Sequence, residues 1–559
     1  MPIESDRVDA TATGGEPRVN AEQPYVIVGA GPAGAAAATA LAAARRRVTV
    51  LDAGLTLEPE REAARRRMAA TAPALWSAAD VALTRFSAAG SGGAGYKQLF
   101  GSDVAFRDDG ALELRADGVA ARPSYALGGL SNVWGAGVLP YTESDLRGWP
   151  VSAGELGDAY RAVLSFMPYA AEEDELAEHY PLHAVPDGPL LRSQAGEQLL
   201  ARLRGHAARL ARAGYLFGAS RLAVRVGHPA PAHGCCYCGH CLDGCPYGHI
   251  YNAGDTILAL ARQGLIDYRP GLHAERLSED GAQVTVEARA LRGDRDVRIH
   301  ASRVFLAAGA VSSTIVLQRS GLLAERAQML DSQTLYLPFL WLGRVGATGR
   351  EPGHTLAQAF LVLDDPDVCA NPVHISLYTY NDGLNERARA IHPRLSALLG
   401  PALDLINRRL VIGICFLHSD DSHRIESSVG GADGGAQLTA RLNPATPAIL
   451  DRLQRALLRS LAPLGLIPLA PLAERAGAGG GFHSGGSVPM RLRPGPGEAD
   501  TLGRPVRARR IHVIDSACFP SIPSGTVTLT AMANAHRIAG AALVEDGAEH
   551  EHAGARVRA

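Results

Sequence analysis

The first clear pattern of apolar and polar positions begins at Tyr25. Four apolar, β-favouring residues, Tyr25–Val28, precede a glycine-rich turn and an alanine-rich stretch at 33–44. Alanine is the strongest helix former, so the stretch predicts a helix. A second short apolar run, Val48–Leu51, has the length of a strand buried on both faces. Residues 24–54 therefore predict strand, turn, helix, strand: a βαβ unit. Residues 58–120 read as largely helical at first (REAARRRMAA) and glycine-rich at 89–95. Helical patterns alternate with loops over 151–232, and segments 282–288 and 296–308 predict strands, the second ending in RVFLAAGA. Between 331 and 480, alternating runs such as 373–380 and 410–418 predict a separate sheet. Helical patterns at 385–408 and 446–463 are placed to cover one face of it. A glycine-rich break at 477–481 precedes a last compact block. The expected organisation is a tail at 1–24, a nucleotide-binding unit over 25–330, a second unit over 331–480, a C-terminal block over 481–545 and a frayed tail at 546–559.

Composition narrows the class. The chain has 559 residues, 47% hydrophobic and 20% charged, enough for a sizeable core in several compact units. A formal charge of −2 gives no long-range field that would favour nucleic acid or an anionic membrane. No apolar stretch reaches the length of about 18 residues needed to cross a bilayer. The first residues lack a basic region followed by an apolar one, so the expectation is a cytoplasmic protein.

Gly29, Gly31 and Gly34 form G-x-G-x-x-G directly after the first predicted strand and before the predicted helix. The first glycine allows the tight turn, the second the approach of a pyrophosphate, and the third close packing of helix on strand. The phosphates then lie at the helix N-terminus. Asp52 ends the second strand, where a carboxylate can accept hydrogen bonds from adenosine ribose hydroxyls. The motif predicts a dinucleotide and does not separate NAD from FAD.

Three further segments carry a resemblance. YALGGLSNVWG at 125–135 resembles the second FAD-binding segment of glucose–methanol–choline (GMC) oxidoreductases. RVFLAAGAVSSTIVLQRSG at 303–321 resembles that family's return strand, and 482–543 its C-terminal block. The resemblance implies an α/β fold: a Rossmann-like FAD domain and a substrate domain on a mainly antiparallel sheet covered by helices. It implies non-covalent FAD, with Gly128, Gly129, Ser131, Asn132 and Trp134 in the loop along the flavin and Asp515 near the flavin chain. It implies oxidation of CH–OH to C=O, with His483 of the F-H-S-G-G segment as base. A histidine suits that role because its ordinary pKa, about 6.5, lies near neutrality. The family usually carries a second His or Asn after the F-P-x-x-P turn; here Thr526 stands at that position. Threonine hydrogen-bonds but is no base near neutral pH. The implied substrate is a sugar, a polyol or a hydroxymethyl group on a glycosylated small molecule, as for bacterial relatives acting on aminoglycoside and nucleoside antibiotics. A protein, a quinone-like molecule or O2 would take the electrons. Some proteins of this fold keep FAD yet cleave cyanohydrins, so a lyase is the rival from another class. A non-catalytic electron-transfer subunit is a second rival, disfavoured by His483 and the complete FAD segments.

Five of the eight cysteines fall within 235–245. Cys235, Cys238, Cys241 and Cys245 read C-x2-C-x2-C-x3-C-P, a ferredoxin-type spacing that predicts an iron–sulfur cluster. Cys235, Cys236, Cys241 and Cys245 also resemble the three-iron segment of the bacterial FAD-dependent glucose dehydrogenase catalytic subunit; Cys238 is additional and allows a four-iron cluster. Zinc held by four cysteines, or by three with His240 or His249, is an alternative, as is a loop of inert thiols or a local disulfide. A cluster would let electrons leave a flavin one at a time, favouring a dehydrogenase over an O2-using oxidase.

Overall fold

The computed structural model describes residues 23–85, 98–227, 233–293, 295–345, 353–379, 406–430 and 435–558. The glycine-rich stretch 89–95, the tail up to residue 22 and most of the helical pattern at 385–408 lie outside them.

The short apolar runs assemble first. Tyr25–Val28, Val48–Leu51 and Arg303–Leu306 are buried at every position. With Ile511–Val513 and Asp267–Arg269 they form a five-stranded parallel sheet, in the order Ile511–Val513, Arg303–Leu306, Tyr25–Val28, Val48–Leu51, Asp267–Arg269. A strand covered on both faces has no polar side to present, which is why these runs do not alternate. Helix Pro32–Ala43 packs against the last helix, Val527–Arg558. Alanines on both, such as Ala36, Ala37, Ala535 and Ala539, are fully buried and let the backbones approach closely.

The expected strand over 296–308 is two strands. Asp296–Ala301 closes a three-stranded antiparallel meander, and Arg303–Leu306 enters the parallel sheet. Between them the Ser302 N–H donates to the Pro24 carbonyl at 3.1 Å and turns the chain from one sheet into the other. Residues 58–120 likewise end differently from their helical start: Leu114–Asp117 is an edge strand of a four-stranded sheet.

The sheet expected between 331 and 480 is present and antiparallel at every pairing. Its order is Leu466–Pro468, Thr334–Trp341, Leu410–Phe416, Val373–Tyr378, Ala359–Leu363, Tyr215–Ala219. The last strand comes from well before residue 331, so the unit draws on two parts of the chain. One face, with Leu335, Leu337, Phe339, Leu361, Ile375 and Leu377, packs on helices Gln194–Gly205 and Thr446–Leu461. The other face turns Tyr336, Phe360, Ser376, Tyr378, Ile412, Ile414 and Phe416 toward the parallel sheet.

The frayed tail expected from 546 does not begin there. Asp546 is buried within the last helix. It accepts from the Tyr25 hydroxyl, and from the Arg303 guanidinium at 2.6 and 2.8 Å.

Candidate functional site

A cavity of about 690 Å³ lies between the C-terminal ends of the parallel strands and the open face of the antiparallel sheet. Crevices at that end of a parallel sheet are where such folds bind nucleotides.

Its nucleotide side is built from three turns. Gly29 has a φ of +105°, and a Cβ there would lie 2.3 Å from the Ala307 carbonyl oxygen, so only glycine fits. A Cβ on Gly34 would lie 2.0 Å from the Gly29 carbonyl oxygen. A Cβ on Gly31, by contrast, meets no protein atom within 4 Å, because the space before it belongs to the cavity. Gly31 opens helix Pro32–Ala43 with no side-chain cap, and Gly309 opens helix Ala310–Arg319 in the same way. Both N-termini face the cavity; the one at Gly31 is open to an anion, whereas the Gly309 N–H already donates to Asp515. Asp52 accepts from the Ala30 N–H at 3.1 Å and the Tyr268 hydroxyl at 3.3 Å, and burial pushes its carboxyl up to about 7.

The 125–135 segment forms a 3-10 turn, Gly129–Asn132, against the first turn. Gly129, Ser131 and Trp134 line the cavity. Gly128 and Asn132 do not, and they hold the turn's shape. Gly128 has a φ of +90° and packs on the Asn252 side chain. Asn132 donates to the Leu127 and Gly129 carbonyls at 2.9 and 2.7 Å and accepts from Asn252 at 2.8 Å. Asp515 reaches the cavity but is spent on protein donors: Gly309 N–H, Ser313 Oγ and Ala517 N–H, at 2.9, 2.5 and 2.9 Å. It joins the 309 turn to the C-terminal block. The open space before Gly31, at the uncapped start of helix Pro32–Ala43, fits a dinucleotide's diphosphate.

His483 lies on the opposite side. Its ring stacks on Phe416, with centroids 4.8 Å apart and planes 19° from parallel. Its Nδ1 is enclosed and has no hydrogen-bond partner, and burial lowers the imidazole to about 4. The loop carrying it is fixed by Asp331, which accepts from Gly479 N–H at 2.7 Å and Ser484 Oγ at 3.1 Å. Thr526 also lines the cavity, but its hydroxyl accepts from the Leu139 N–H at 2.8 Å and is tied to backbone.

Two residues that the sequence reading passed over stand on the same wall. His374 and Ser376 occupy alternate positions of strand Val373–Tyr378, with Nε2 and Oγ 3.0 Å apart. The signal was an alternation, V-H-I-S-L-Y, whose polar members all fall on one face.

The cysteine segment does not form the expected centre. Among the described residues no group of three or more His, Cys, Asp or Glu side chains is arranged to hold a metal ion. All eight cysteines are free thiols. Cys236 is drawn down to about 7 by a hydrogen bond from Cys238. Cys245 Sγ accepts the His249 N–H at 3.4 Å, and Cys241 and Cys245 line a second cavity of about 390 Å³. The thiols nevertheless stand close enough to act on one another: Cys236, Cys241 and Cys245 all bear on Cys235, and Cys236 and Cys241 on Cys238.

The family model described as GMC oxidoreductase matches residues 26–347. Among solved structures, pyridoxine 4-oxidase from Mesorbium loti shares the fold with a TM-score of 0.56 at 14% identity, over 93% of this chain and 98% of that one. No curated protein matches the sequence. Among the described residues no helix is long and apolar enough to cross a membrane.

Proposed function

Because the chain belongs to the GMC oxidoreductase family, we propose that it oxidises a CH–OH group on a small molecule to C=O with His483 as the base. Bound FAD supplies the hydride acceptor. Gly29, Gly31, Asp52, Gly129, Ser131 and the helix N-terminus at Gly31 would hold it. The observation that carries the reading is His483 itself, a cavity-lining imidazole that burial keeps neutral and that Phe416 holds by stacking. A neutral imidazole facing the cavity can accept the alcohol's proton, and the surrounding apolar walls exclude water from the step.

The wall opposite the glycine turns is Tyr336, Phe360, Tyr378, Ile412 and Phe416. It suits a hydroxymethyl group on a flat or apolar scaffold. A bare sugar or polyol would bring several hydroxyls against aromatic rings, and each unpaired one costs about 1–3 kcal/mol. Of the substrates the family resemblance implies, a hydroxymethyl group on a larger molecule therefore fits better than a simple sugar. No step of this reading passes through an iron–sulfur cluster. The electrons go on to a protein, a quinone-like acceptor or O2.

Anaerobic mixing of the FAD-loaded protein with benzylic alcohols, aliphatic alcohols and sugars tests the reading. Benzylic or apolar primary alcohols are expected to bleach the flavin faster than glucose or glycerol. Bleaching by polyols alone overturns the substrate class. Cleavage of a cyanohydrin with the flavin left oxidised would favour the lyase.

A further inference from the structure

We propose that Ser376, its hydroxyl oriented by His374, donates a hydrogen bond to the substrate's hydroxyl oxygen and so fills the place that Thr526 leaves empty. The inference rests on His483 being the base. An alcohol giving its proton to one group needs a donor on the same oxygen, because negative charge gathers there as the proton leaves. Thr526 is engaged on both counts, since its hydroxyl accepts from the Leu139 N–H at 2.8 Å and donates to the Leu139 carbonyl at 3.4 Å.

The opposite wall offers a replacement. Thr526 Cγ2 and the Phe360 ring both approach the position a Cβ on Gly137 would take, at 3.1 and 3.2 Å. Phe360 is the register partner of Ser376 and packs edge-on against His374 at 5.0 Å. His374 in turn pairs across the sheet with Phe416, the residue on which His483 stacks. Thr526, Ser376 and His483 thus sit around one end of the cavity.

The proton count within the pair fixes its direction. His374 is 1% exposed, and its Nδ1 has no partner. A buried N–H without an acceptor is rare, so the proton belongs on Nε2 and Nδ1 keeps a bare lone pair. Nε2–H then donates to Ser376 Oγ at 3.0 Å. The Ser376 hydroxyl hydrogen is left free to point into the cavity. No proton passes through the pair: the alcohol's proton goes to His483, bound FAD would take the hydride, and Ser376 only steadies the oxygen. His374 acts through Ser376 and is a positioning residue.

The test combines a structural measurement with kinetics on the holoenzyme. In ¹⁵N-histidine NMR, the His374 ring should carry its proton on Nε2. A proton on Nδ1 would make Nε2 the acceptor of the Ser376 hydroxyl and overturn the proposal. With 4-methoxybenzyl alcohol as probe, Ser376→Ala should keep FAD and slow anaerobic bleaching by about 10²-fold, the lower range for a lost oxyanion donor. Ser376→Thr, which keeps the hydroxyl, should stay within about tenfold of wild type, well short of that loss. His374→Phe should slow the reaction, and adding it to Ser376→Ala should cause no further loss, as expected of one unit. Wild-type bleaching by Ser376→Ala, or additive losses in the double variant, would refute the pair. Wild-type bleaching by His483→Ala would instead remove the base and leave the NMR result standing.

Discussion

A buried histidine stacked on a phenylalanine holds a proton poorly, and the reaction should show this. His483 is lowered to about 4 by burial, against an ordinary value of about 6.5. It is therefore neutral, and able to accept a proton, at every pH above about 5. The rate of anaerobic flavin bleaching should be flat from pH 8 down to about 5 and fall as the pH drops through about 4. An inflection near 6.5 in stopped-flow measurements would mean that the base is a solvated group. His483→Ala should slow bleaching by about 10²–10⁴-fold, the usual worth of a positioned base, with FAD content unchanged. Thr526→Ala should behave differently, because its hydroxyl serves the Leu139 backbone. It should cost about 1–3 kcal/mol of stability for an N–H left unpaired and little in rate. A bleaching defect in Thr526→Ala larger than in His483→Ala would put the chemistry on the wrong residue.

At the scale of elements, the glycine turn and the His483 loop answer to different constraints. Gly31 faces open cavity, whereas Gly34 is pressed against the Gly29 carbonyl. Gly31→Val should therefore leave a folded protein that lacks FAD, as seen by near-ultraviolet circular dichroism and flavin absorbance together. Full FAD occupancy in that variant would contradict the diphosphate site. The His483 loop depends on Asp331, whose carboxyl is fully buried between Gly479 and Ser484 and pushed up to about 6 by burial. Asp331→Ala should slow bleaching while FAD stays bound. Unchanged bleaching would show that the loop holds itself. These turns were legible in the sequence because each is local: a glycine spacing, a strand before it and a helix after it. The second polar wall was not. His374 and Ser376 meet Phe360, Phe416 and Gly137 only through register and tertiary approach, and either face of Val373–Tyr378 could have been the inner one. The cysteine spacing is a strong local pattern too, and the fold keeps these thiols near one another, but among the described residues no three donor side chains are arranged around a metal ion.

The whole molecule is closed by its last helix, and Asp546 is where the closure can be tested. Residues near 546 look polar and terminal in the sequence, yet the helix carries Asp546 back to the start of the chain. There it meets Tyr25 on the first strand and Arg303 on its parallel neighbour. Arg303 is 2% exposed, so its charge has little water to fall back on. Glu545 stands 3.4 Å away and His512 3.2 Å away as lesser partners. Breaking a buried ion pair costs about 3–5 kcal/mol because the surviving charge is stranded. With Glu545 remaining, Asp546→Ala should fall at the low end, about 3 kcal/mol. The loss should appear as a lower urea midpoint for the holoenzyme. The cavity lies at the other end of these strands, so the bleaching rate of the variant that stays folded should match wild type. Tyr25→Phe, which removes one hydroxyl and leaves the ion pair, should cost about 1 kcal/mol, the worth of one hydrogen bond. An unchanged midpoint for Asp546→Ala would mean that Arg303 is neutralised without Asp546, and that this contact adds nothing to the closure.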